Sequence, residues 1–119
     1  MRVFVSGHLK ISPAEFDEHY APRLLEFLAQ GATFVVGDAR GADTMAQAFL
    51  AQHGASVTVF HMFDRPRNNR GNFPMVGGFR SDDERDAAMT AASDVDLAWV
   101  RPGRENSGTA RNLMRRRAT

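Results

Sequence analysis

The sequence predicts an α/β fold: an open parallel, Rossmann-like sheet of about four strands, with helices on both faces. Three observations predict it. Short apolar runs recur along the chain, near-continuous rather than alternating, as in strands whose two faces are both covered. Segments of helical period separate them. Each apolar run ends in a polar, glycine-bearing loop, and connections of this type make parallel sheets through right-handed crossovers.

Arg2–Ser6 is the first apolar run and stops at Gly7. Ser12-Pro13-Ala14-Glu15 has the form of a capping box with Pro at the first helical position. Phe16, Tyr20, Leu24, Phe27 and Leu28 follow at helical spacing, so one amphipathic helix is expected up to Gly31. Thr33–Val36 is the second strand. Thr44–His53 reads as a helix with Met45, Ala48, Phe49 and Gln52 facing inward, and Gly54 ends it. Ser56–Phe60 is the third strand.

From His61 to Gly78 the periodicity is lost among Arg, Asn, Gly and Pro, which predicts a long lid, binding loop or mobile segment. Ser81–Glu84 forms a second capping box and opens a helix running to Ala92. Asp96–Val100 is the fourth strand, and a final helix begins near Thr109.

A chain of 119 residues has the size of one domain, and residues 1–119 are read as a single nucleotide-binding unit. With no Cys, disulfides, thiolate metal sites and cysteine nucleophiles are excluded. His8, His19, His53 and His61 have no zinc spacing, so neither a metal nor a cofactor is expected. No apolar run reaches bilayer length and the start reads as a strand, so a cytoplasmic location without membrane contact is the expectation. Net charge is +1, yet fourteen of the fifteen basic residues are Arg. Arg suits phosphate and carboxylate, although genomic base composition enriches it too.

Parallel open sheets bind ligands beyond the carboxyl ends of their strands. Four segments fall there. Ser6-Gly7 ends the first strand, where a glycine lets backbone approach a ligand. Gly37-Asp38-Ala39-Arg40-Gly41-Ala42-Asp43 precedes a helix start, which favours an anion. Arg40 has the fork for a bidentate contact, and Asp38 either accepts from ribose hydroxyls or braces Arg40. Asp43 is also placed to cap the helix. Glu84-Arg85 opens the third helix, and an Arg there opposes the helix dipole unless a partner or ligand compensates it. Ser107-Gly108-Thr109 opens the last helix as a phosphate cradle, with Glu105 as a candidate acid or base beside it. Neither G-x-G-x-x-G nor the phosphate-loop pattern occurs, which argues against dinucleotide and ATPase chemistry.

Taken in order, Val36–Asp43, Glu84–Met89 and Ser107–Thr109 resemble the SLOG superfamily, which takes in the lysine-decarboxylase-like cytokinin-activating phosphoribohydrolases and the DNA-processing protein family. The resemblance runs from Val3 to Arg111, and is nearest to the small bacterial members. It implies a Rossmann-like sheet and a nucleotide-derived ligand. Gly108 and Thr109 would hold its phosphate, Arg85 would lie near phosphate and ribose, and Ser6 and Gly7 would match the first nucleotide loop. Those enzymes carry Pro-Gly-Gly-x-Gly-Thr-x-x-Glu, whose Glu acts on the N-glycosidic bond. Here the double glycine is missing and Asn112 stands where that Glu would be.

The leading expectation is therefore a nucleotide-binding or sensing domain. The alternative is an N-glycosidic hydrolase or transferase on a nucleoside 5'-monophosphate, with Glu84, Arg85 and Glu105 as catalytic candidates and Asp38 as a second proton carrier. A third reading, nucleic-acid binding, rests on Arg111, Arg115, Arg116 and Arg117 and is opposed by the near-zero net charge. Leu113 and Met114 on the last helix suggest a homodimer contact.

Overall fold

The computed structural model describes residues 1–118. Its elements are β1 (Arg2–Ser6), α1 (Pro13–His19), α2 (Ala21–Ala29), β2 (Thr33–Gly37), α3 (Ala42–Gln52), β3 (Val57–Met62), β4 (Met75–Phe79), α4 (Asp82–Ala91), β5 (Val95–Ala98) and α5 (Gly108–Ala118). The strands form one parallel sheet in the order β4-β3-β2-β1-β5. This is an open Rossmann-like architecture, with helices on both faces.

Side-chain alternation assigns the faces. Val3, Val5, Phe34, Val36, Val57 and Val59 point to one side, where α1, α2 and α3 supply Phe16, Tyr20, Leu24, Ala46 and Leu50. Phe4, Val35 and Phe60 point to the other and meet Met89 of α4. The apolar runs are continuous because each residue is buried on one face or the other.

Five strands are present, not four. All of β4 but Phe79 lies inside the 61–78 segment expected to be irregular. Met-Val-Gly-Gly-Phe is an edge strand, largely exposed, with no apolar alternation to announce it. Its pairing with β3 shifts register between Phe60 and Met62. Gly77 packs on the buried His61 ring, where a β-carbon would approach to 2.2 Å, so only glycine fits.

The first expected helix is two. Pro22 has no N–H for the Glu18 carbonyl, so the axis breaks at Tyr20 (φ −120°, ψ −50°). The buried face of α3 is only partly the expected one: Met45 and Phe49 pack half-buried against the core, and the deeply buried positions lie beside them. Ala42, Asp43, Ala46, Gln47 and Leu50 are buried, while Ala48 and Gln52 are exposed. Small Ala side chains let α3 lie close on the sheet, and Gln47 is buried because its amide is fully used. It donates to the carbonyls of Gly37 (2.8 Å) and Asn68 (3.2 Å) and accepts the Arg70 N–H (2.8 Å). The Phe63–Pro74 connection is thereby pinned to the end of β2. At α1 the capping box between Ser12 and Glu15 is complete. At α4 it is half made: Ser81 Oγ accepts from Glu84 N–H, but the Glu84 carboxylate takes the Arg80 N–H.

No described helix is long and apolar enough to cross a membrane.

Candidate functional site

Chain order turns back between β1 and β5: β2, β3 and β4 lie on one side of β1, and β5 on the other. Loops leaving the carboxyl ends of these two strands must diverge, which opens a crevice. Tyr20 marks the divide. Its buried hydroxyl donates to the Ser6 carbonyl (2.7 Å) and accepts the Trp99 N–H (3.1 Å). Burial pushes its pKa up to about 12, so it stays a neutral bridge.

A cavity of about 280 Å³ occupies this crevice. Ser6–Leu9 form one side, Ala39 and Asp43 the floor, the first turns of α4 and α5 the remaining walls. Gly41 draws the loops together. It has φ +78°, and a β-carbon there would lie 2.4 Å from the His8 and Leu9 carbonyl oxygens. With that approach possible, Ala42 N–H donates to the His8 carbonyl (3.1 Å). His8 Nε2 accepts the Arg101 N–H (2.9 Å), which places the proton of the neutral ring on Nδ1. Burial, then Arg101 and Arg104, lower its pKa.

The α4 wall is a closed ionic network. Arg85, almost fully buried, donates from Nη1 to Asp38 Oδ1 (2.8 Å), and from Nη2 and Nε to Asp86 Oδ1 (2.9 and 3.2 Å). Its Nη1 also lies 3.2 Å from Asp82 Oδ1. Burial depresses its pKa and the carboxylates, Asp86 and Asp43 foremost, more than reverse that. Asp38 is held further by Arg67, through the backbone N–H (2.8 Å), Nε (3.2 Å) and Nη2 (2.9 Å). Burial raises the Asp38 pKa, but Arg67 and Arg85 bring it below the ordinary carboxylate value. Asp43 differs. Its Oδ2 accepts the Ala39 N–H (3.2 Å), no cation lies within ion-pair distance among the described residues, and burial pushes its pKa up to about 7.

The α5 wall is unsaturated. Ser107 Oγ caps the helix by accepting Ala110 N–H (3.2 Å), and Arg111 N–H goes to the Ser107 carbonyl. The N–H groups of Gly108 and Thr109 find no acceptor among the described residues. Arg104 and Arg111 line the cavity without a carboxylate partner among those residues; the Arg111 side chain donates only to the Asn106 carbonyl (3.1 Å). Ser6 Oγ is buried and unpartnered at the same cavity.

Of the residues singled out from sequence, Ser6, Gly7, Asp43, Arg85, Ser107, Gly108 and Thr109 line this cavity. Gly37, Asp38 and Gly41 stand behind its floor as supports. Asp38 braces Arg67 and Arg85 rather than Arg40, which is exposed outside the cavity. Asp43 does not cap α3, whose N-cap is Gly41; it ties down the preceding loop instead. Glu84 and Glu105 are exposed and outside the cavity lining.

Sequence reasoning passed over His8, Arg67, Asp86, Arg104 and Arg111 as site residues. Arg111 carried a readable signal, since an Arg in a helix's first turn opposes the dipole. Arg67 carried none, because nothing local ties a loop Arg to the end of β2. Among the described residues no three His, Asp or Glu side chains gather as a metal site. No family model, curated protein or solved structure matches the chain.

Proposed function

We propose that the cavity between β1 and β5 binds the phosphate end of a nucleotide or nucleotide-derived ligand, and that the protein is a binding or sensing domain of the SLOG type. The observation that carries this reading is the donor excess on the α5 wall. Two free helix N–H groups, two cavity-facing Arg without carboxylates and an orphaned serine hydroxyl share one cavity. The Ser6 hydroxyl is buried without a partner, which is costly, and a helix N-terminus beside two exposed guanidinium groups favours an anion. A volume of about 280 Å³ suits a mononucleotide better than a dinucleotide. Arg115 and Arg116 are engaged by Asp83 and Asp96, which weighs against a nucleic-acid-binding tail.

Titration calorimetry with a panel of nucleoside 5'-monophosphates tests the reading. Saturable binding of at least one member at micromolar to low millimolar concentration is expected, competed by inorganic phosphate. Absence of binding across the panel sinks it.

Asp43 favours a second reading, N-glycosidic hydrolysis. A cavity carboxyl with a pKa of about 7 can give its proton to the departing base nitrogen and later recover one from the attacking water. The C1'–N bond breaks, a C1'–O bond forms, and free base and ribose phosphate leave. Glu84 and Glu105 are exposed and outside the cavity lining, so this reading gives the proton transfer to Asp43. Chromatography for released base, with Asp43→Asn as the inactive control, separates the two readings.

A further inference from the structure

Asn112 is buried on the first turns of α5, 3% exposed, and lines the same cavity. Its amide orientation is fixed by charge. Arg115 Nη1 donates to Asn112 Oδ1 (2.7 Å), and Arg115 Nη2 donates to Asp83 Oδ1 (2.7 Å). A guanidinium has no acceptor capacity, so the amide atom facing it must be oxygen, and Nδ2 is the atom left over. Nδ2 has no protein partner among the described residues. Its two N–H donors are thus open to the cavity, on a residue that is otherwise buried.

We propose that Asn112 is a ligand-contacting residue that donates from Nδ2 to an acceptor-only oxyanion, and that Arg115 and Asp83 are positioning residues that hold the amide in that orientation. The inference rests on the anion-binding reading above and deepens it by naming the ligand's chemical class. On the α5 side the donors stand together, Asn112 Nδ2, the Gly108 and Thr109 N–H groups, and Arg104 and Arg111, while Asp82, Asp83 and Asp86, which also line the cavity, are engaged by Arg67, Arg115 and Arg85. Such a set takes a fully ionised phosphate or sulfate group and disfavours a group that must itself donate. A carboxylate at residue 112 would reverse the contact and repel the anion. The ion pair between Arg115 and exposed Asp83 contributes little to stability on its own. Its consequence here is directional, because it decides which end of the amide faces the ligand.

The test measures affinity for inorganic sulfate and for a nucleoside 5'-monophosphate that wild type binds. Sulfate keeps its charge between pH 6 and 8, so the two probes separate a general oxyanion site from one needing the nucleoside. Asn112→Asp is expected to weaken both by tenfold or more, and Asn112→Ala by a smaller factor. Asp83→Asn, which frees Arg115 and lets the amide turn, is expected to weaken both several-fold with an unchanged melting temperature. That loss is expected to vanish in an Asn112→Ala background, since a merely structural Asp83 would act equally in both. Wild-type affinity in Asn112→Asp and Asn112→Ala overturns the inference while leaving the anion site standing. If wild type binds neither probe, the anion-binding reading falls first. Where the Asn112 variants do not fold, Asp83→Asn decides alone, and wild-type affinity there overturns the proposal.

Discussion

The two helical walls of the cavity are built from similar residues and have opposite states. At α4, Asp82, Asp86 and Arg85 are joined by Asp38 and Arg67 into a network in which each charge has a counter-charge. At α5, Arg104 and Arg111 face the cavity without a carboxylate, beside backbone donors that also lack partners. An Arg near a sheet edge is therefore not evidence of a ligand by its type or position. What distinguishes a receptive Arg from a structural one is whether its donors are already used.

The largest expected effect breaks the α4 wall. Asp38→Ala removes the carboxylate that holds Arg85 Nη1 and accepts three donors from Arg67. Arg85 keeps Asp86 and Asp82, and Arg67 keeps Asp82, so the cost is that of the charge-assisted hydrogen bonds lost at a buried acceptor, about 3 kcal/mol. Urea unfolding is expected to show a loss of that size, and the Phe63–Pro74 connection, which Arg67 helps fasten, is expected to become protease-sensitive. A loss below about 1 kcal/mol would place Arg85 with the receptive arginines instead, at the level of a surface ion pair.

Next in size is the pH dependence contributed by Asp43, which lies between the walls. Its folded pKa of about 7 stands above the ordinary 3.8, so the folded protein holds a proton that the unfolded chain releases. Stability from this group is complete below pH 4 and is lost as pH rises toward 7, after which it stays level. Asp38, with its pKa lowered, acts in the opposite sense, losing stability as pH falls through the carboxylate range. Above pH 5 the Asp43 contribution is therefore exposed. Asp43→Asn, which keeps the acceptor for Ala39 N–H, is expected to remove a slope approaching 1.4 kcal/mol per pH unit. The variant is expected to be more stable than wild type at pH 8, and equal slopes would refute the assignment.

Smaller is the effect of disarming the α5 wall. Charge-assisted hydrogen bonds contribute roughly 1.5–3 kcal/mol each. Arg104→Gln with Arg111→Gln is expected to weaken phosphate binding by a hundredfold or so, while the unfolding midpoint stays unchanged. A large fall in stability would mean that these arginines are structural and that the two walls are alike.

The legible part of the fold was the part that buries apolar side chains. β1, β2 and β3 carry runs such as Val3-Phe4-Val5, which fill both faces and could not sit elsewhere, and β5 adds Val95 and Leu97 to one of them. β4 was illegible because its pairing is backbone to backbone, and Met75, Val76, Gly77 and Gly78 are exposed. The break at Tyr20 was written in Pro22 but outweighed by an unbroken apolar spacing. For the site, glycine-rich loops and helix starts pointed to the sheet edge at which the cavity opens. What they could not give was the identity of the partners across it. Arg67 to Asp38 and Arg115 to Asp83 span long stretches of chain, and only the folded molecule decides which charges neutralise one another.

The smallest expected effect concerns Glu84 and Glu105, which the sequence offered as catalytic carboxylates. Glu84 is spent on the Arg80 N–H (3.2 Å) at the solvent side of α4, one residue before the Arg85 that turns inward. On a helix, adjacent residues diverge by about 100°, so burying Arg85 at the cavity directs Glu84 away from it. Glu105 sits exposed in the loop before α5, outside the cavity that its neighbour Arg104 lines. Glu84→Gln and Glu105→Gln are each expected to shift stability by no more than about 0.5 kcal/mol, as surface substitutions do. Ligand affinity, and any release of free base, should be unchanged. A tenfold loss in either quantity would mean that the β5–α5 loop or the start of α4 closes over the cavity when ligand enters. Both walls would then contact the ligand, and the α4 start would no longer be structural only.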